Sequence, residues 1–103
     1  MISLILAALG AVVLGAIIVV VLLNWGRIKE WFVNFFTNRG KIKNKNEVAF
    51  TLKEKLNSGK YKVVQGIFDK HTNEVVDGAQ YEAQSLDSTL ANYHRHDDLV
   101  CYE

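Results

Sequence analysis

Residues 1–23, MISLILAALGAVVLGAIIVVVLL, hold no charge, and Ser3 is their only polar side chain. At about 1.5 Å per residue a helix of that length spans roughly 35 Å, enough to cross a hydrocarbon core of about 30 Å. The pattern predicts a single transmembrane helix over 1–23. A cleaved signal peptide needs a basic start, a shorter apolar core and a small-x-small site beyond it. Here nothing basic precedes the run, and Ala7, Ala8, Gly10 and Ala11 lie inside it. A buried core helix is a poorer fit still, because the rest of so short a chain cannot cover a rod that is apolar all round. Within the helix Ser3, Ala7, Ala11 and Gly15 recur every four residues. They predict a small-residue face of the kind that lets membrane helices pack closely, against a second copy or a partner's helix.

In residues 24–38 the pattern changes. Trp25, Ile28, Trp31, Phe32, Phe35 and Phe36 fall at helical spacing, and Arg27, Lys29, Glu30, Asn34 and Asn38 take the other side. This predicts a juxtamembrane amphipathic helix. Aromatic rings favour the headgroup level, and each basic side chain near an anionic leaflet adds about 1 kcal/mol. Trp25, Arg27, Ile28, Lys29, Trp31, Phe32, Phe35 and Phe36 are therefore the candidate membrane-interface residues. The competing reading docks the same face on the soluble domain. Residues 39–46 follow as a basic linker.

The remainder, 47–103, alternates shorter apolar and polar stretches. Val48, Ala49, Leu52 and Leu56 share a helical face, with Asn46 as N-cap and Gly59 as stop, and predict a helix over 47–57. The alternation of Val48, Phe50 and Leu52 offers a strand as the rival. Residues 61–69 and 74–84, rich in β-branched and aromatic side chains, predict a hairpin around the polar KHTN. Gly66 and Gly78 mark a bulge or a close backbone contact, and Asp77-Gly78 offers an alternative turn. Ser85 as N-cap predicts a helix over 86–94, and 99–102 reads as a last strand. The expected whole is a single-pass transmembrane α-helix, an amphipathic helix and a small α+β cytosolic domain ordered α-β-β-α-β.

Charge sets the expected orientation. The net charge of +1 conceals +5 over residues 24–46 and −6 over residues 69–103. Basic residues just after the apolar run place that side inside, so the N-terminus is expected outside and the C-terminal domain in the cytoplasm, at an inner or plasma membrane. A single cysteine, Cys101, precludes an intramolecular disulfide.

Candidate chemistry is sparse. His94, His96, Asp97, Asp98 and Cys101 form the densest group of metal-ligating types, but zinc sites draw paired ligands from two segments, and only His71 lies elsewhere. A helix end followed by an Asp-rich turn explains the group without a metal, and no cofactor is expected. Cys101, in a short apolar strand, reads as a packed and inert thiol. Phosphate-cradling glycine spacing is missing, and Asp97-Asp98 are too close in sequence to flank one bond. Nothing points to an enzyme. The acidic end disfavours nucleic acid and makes Asp87, Asp97 and Asp98 a candidate docking surface for a cytosolic protein. Membrane lipid, and a second copy or another membrane protein through the helix, complete the expected partners. The sequence thus suggests a non-enzymatic, membrane-anchored interaction or accessory subunit. The alternative is an oligomeric membrane effector or pore former gated by its cytosolic domain.

Overall fold

The computed structural model describes residues 2–10, 14–38 and 46–102. In chain order the elements are helix α1 (Ile2–Gly10), strand β1 (Ile17–Leu23), helix α2 (Trp25–Asn38), strands β2 (Glu47–Lys55), β3 (Tyr61–Asp69) and β4 (Glu74–Leu86), helix α3 (Ser88–Tyr93) and strand β5 (Leu99–Tyr102). The strands form one mixed five-stranded sheet in the order β1-β4-β3-β2-β5.

The first correction concerns the apolar run. It does not form one rod: α1 covers Ile2–Gly10, Gly15 has a positive φ of 80°, and Ile17–Leu23 is a strand. No described helix is long and apolar enough to cross a membrane. This overturns the transmembrane helix and, with it, the expected single-pass placement at an inner or plasma membrane with the N-terminus outside and the C-terminal domain in the cytoplasm. The physical reason lies in the second half of the run. Ile17, Ile18, Val19, Val20 and Val21 are all β-branched, stiff at χ1 and at home on a pleated surface. Parallel pairing with β4, from Ile17 opposite Gln80 to Leu23 opposite Leu86, supplies their backbone with a ladder. The four small residues consequently do not share one helical face: Ser3 and Ala7 lie on α1, Gly15 lies beyond it, and Ala11 falls outside the described residues.

A second correction concerns residues 47–57, which form strand β2 and not a helix. The alternation decides it, sending Val48, Phe50 and Leu52 to one side and Ala49 and Thr51 to the other, between β3 and β5. The C-terminal part is therefore β-β-β-α-β. Strands β3 and β4 pair antiparallel across a turn at residues 70–73. There the Asp69 carboxylate accepts from the His71 and Thr72 amides at 2.7 and 3.3 Å, and Asn73 takes a φ of 58°. Gly66 and Gly78 face each other across the pair. A Cβ on Gly66 would meet the Asp77 carbonyl and the Phe50 ring at 2.9 Å, so the two glycines are the close contact that the pattern suggested. The linker at 39–46 lies outside the described residues apart from Asn46.

Both faces of the sheet carry helices. On one, Ile28 and Phe32 of α2 and Leu90 of α3 bury against Ala49, Val63, Ile67, Tyr81 and Ala83. Trp25, Phe32, Tyr93 and Tyr102 form a ring cluster there, with centroids 4.8 Å apart for Trp25–Tyr93 and 5.1 Å for Trp25–Tyr102. On the other, Ile5 of α1 buries against Val48, Phe50, Val64, Phe68, Val75 and Leu99.

Candidate interaction surface

At the outer edge of the sheet, β1 is the longest stretch of exposed aliphatic side chain. Val19 and Val21 are 71% and 67% exposed, and Ile17, Ile18 and Leu22 are also exposed. Its sequence, IIVVVLL, contains no charge, proline or glycine. Natural sheets guard their edges with lysine, proline, bulges or short strands, because an unpaired ladder is a template for another chain. Strand β5, at the opposite edge, has that protection: it is four residues long and follows the exposed Asp97 and Asp98. Among the described residues, nothing guards β1 in this way.

The backbone of β1 has a defined open side. Leu23 O accepts from Asp87 N at 3.0 Å, on the β4 side. By the two-residue alternation of a strand, Ile18, Val20 and Leu22 then direct their N–H and C=O groups away from β4.

Asp87 lies where β1, β4, α2 and α3 converge. Its Oδ1 accepts from Leu90 N at 2.9 Å and caps α3, and its Oδ2 accepts from Trp25 N at 3.0 Å in the first turn of α2. One carboxylate thus satisfies an orphan amide at each helix start. Residue 87 replaces Ser85 as the cap, because Ser85 and Leu86 still belong to β4. Of the three acids marked as a docking surface, Asp87 is thus engaged inside the fold. Asp97 and Asp98 are exposed, and they border a groove of about 700 Å³ that also touches Leu6, Leu52 and Leu99.

The eight residues marked for a membrane interface divide by side. Ile28 and Phe32 are buried, and Trp25, Trp31, Phe35 and Phe36 pack half-buried on the same core. Arg27 and Lys29 are exposed, and the Arg27 guanidinium lies 5.7 Å from the Tyr81 ring centre. The aromatic stripe therefore packs on the sheet.

Two buried polar groups tie the layers together; the sequence marked Gln65 and Tyr81 not at all, and His94 only as a metal-ligating type. Tyr81 Oη donates to Gln65 Oε1, and Gln65 Nε2 donates to Ile28 O at 3.1 Å. Burial raises the Tyr81 pKa, with the Arg27 charge opposing it. His94, 2% exposed, contacts the Asp97 carbonyl through Nδ1 at 3.0 Å and Thr51 Oγ1 through Nε2 at 2.7 Å. A carbonyl only accepts, so Nδ1 carries the proton, the Thr51 hydroxyl donates to Nε2, and Tyr102 Oη, 2.7 Å away, donates to Thr51. Burial lowers the His94 pKa, and the Asp97 carbonyl opposes that shift. Burial also raises the Tyr102 pKa. With both ring nitrogens occupied, His94 acts as a strut between α3, β2 and the turn before β5. Among the described residues no group of three or more His, Cys, Asp or Glu is placed to hold a metal ion. Cys101, expected to be packed, is exposed on the edge strand β5.

Comparison with known protein families, curated proteins and solved structures returns no match.

Proposed function

We propose that this chain is a non-enzymatic interaction subunit that docks another polypeptide along the open edge of β1. The exposed aliphatic strand carries the reading. Such a strand offers main-chain hydrogen bonds for affinity and alternating side chains for fit, the two requirements of strand addition. The surroundings support binding over catalysis: His94, Tyr81 and Asp87, the groups most suited to chemistry, already hold structural partners. The groove beside Asp97 and Asp98 is a second point at which a partner gains contact.

The test is the mass of the particle that the tagged full chain forms in its native cells, compared with a V19K/V21K variant. A particle heavier than one chain that is lost in the variant supports the reading. A wild-type particle with the mass of one chain, or an assembly indifferent to the substitutions, overturns it.

A further inference from the structure

The geometry points to a second copy of this chain as the occupant of the β1 edge, paired antiparallel about a two-fold axis at Val20. This inference rests on the docking role of β1 and names its partner. The outward backbone groups belong to Ile18, Val20 and Leu22, a set symmetric about its middle member. With Val20 opposite Val20 of the second copy, Ile18 falls opposite Leu22 and Leu22 opposite Ile18. Every outward-facing residue then meets an outward-facing residue, and about six N–H···O=C bonds close across the axis. A register shifted by one residue would set outward groups against inward ones and lose them.

The side chains agree with that register. Between the hydrogen-bonded pairs, Val19 of each copy lies opposite Val21 of the other, so the two most exposed valines of the strand cover each other. Ile17 meets Leu23. All these pairs are aliphatic, and none opposes like charges. An isologous contact requires a self-complementary strip, and IIVVVLL is one: branched aliphatics throughout, of similar size read in either direction. The product joins two five-stranded sheets into one continuous sheet, with the α2 layers of both copies on the same side. The blunted edge at β5 ends the assembly at two copies and keeps it from extending as a fibre.

The test uses the purified full chain alone, with sedimentation mass measured over a range of concentrations and circular dichroism confirming the fold. Wild type is expected as a dimer. V19K/V21K places lysine opposite lysine at both pairs flanking the axis and is expected to weaken the dimer at least about 100-fold, the scale of several like-charge oppositions. V19K/V21E, equally polar, places opposite charges there and is expected to restore dimer mass, with an affinity that falls as salt rises. A monomeric wild type, a V19K/V21K chain that stays dimeric, or a V19K/V21E chain as monomeric as V19K/V21K overturns the inference. A purified chain that is monomeric while the native particle still depends on Val19 and Val21 removes the second copy but leaves the docking role standing.

Discussion

On one face of the sheet, α2 and α3 set down Ile28, Phe32 and Leu90, a cluster of four aromatic rings and two hydrogen-bonded polar groups that bridge the layers. On the other face, among the described residues, α1 delivers one fully buried side chain, Ile5, and leaves grooves of about 370 and about 700 Å³ along its flank. Both helices are apolar enough to pack, yet they differ in shape. Helix α2 is an amphipathic cylinder with large rings on its inner stripe, so its burial is directional. Helix α1 carries aliphatic side chains around most of its surface, so packing Ile5 on the sheet leaves Leu4 and Leu6 exposed. The lesson is that hydrophobicity alone does not fill a layer; the asymmetry of the helix decides how much of it is used.

That contrast can be broken most sharply at its two anchors. Phe32→Ala is expected to cost about 3–5 kcal/mol in denaturant unfolding, because the rings around it are fixed by neighbours. Ile5→Ala should fall at the low end of the aliphatic range, about 2 kcal/mol, since the grooves beside α1 let the site relax. Equal costs would show that the two layers are packed alike.

Next in size is a tight place on the α1 face, where the Phe50 ring lies against Gly66. Gly66→Ala is expected to lose about 1–3 kcal/mol through overpacking, because one of the atoms it meets is the Asp77 carbonyl, part of the paired strand. A neutral or stabilising result would show that β3 and β4 can separate freely. On the α2 face, Asp87→Ala should cost about 1–2 kcal/mol by uncapping two helix starts, with Asp87→Asn retaining much of the loss. If the alanine variant matched wild type in thermal melting, the carboxylate would not be joining the helices.

The smallest effect is a pH slope. The folded pKa of His94 lies below its ordinary value of 6.5, so the unfolded chain binds the proton more readily. The stability contributed by neutral His94 is complete above about pH 6.5 and is lost as pH falls from there toward the folded pKa. Unfolding midpoints measured between pH 7.5 and 5.5 should decline in wild type and flatten in His94→Gln. A parallel decline in both would assign the slope to other groups.

Much of the α2 face was legible from the sequence. Rings at helical spacing marked a helix over 24–38, found at Trp25–Asn38, and the β-branched runs around KHTN marked β3 and β4. Reading failed where local pattern and tertiary slot disagree. Val48, Ala49, Leu52 and Leu56 fit a helix as well as Val48, Phe50 and Leu52 fit a strand, and only the vacancy between β3 and β5 chooses. In residues 1–23 the length of the apolar run outweighed its internal composition; the five consecutive β-branched residues and the preceding Gly15 were the signal against a single helix. For Asp87, charge at the acidic end suggested a surface role, while the amide it accepts from Trp25 is distant in the chain and invisible to local spacing. The β1 edge was hidden for the same reason: its neighbour, β4, is far along the chain.

That distance has a kinetic consequence. Strands β2, β3 and β4 close on one another through short connections, whereas Ile17 must find Gln80 across roughly sixty residues, a slow closure in a topology-limited search. The strand that leaves the ribosome before β2, β3 and β4 is thus the last to be seated. Throughout that interval IIVVVLL is an uncharged ribbon without its β4 partner, so the chain's folding yield should hinge on how long β1 is kept waiting.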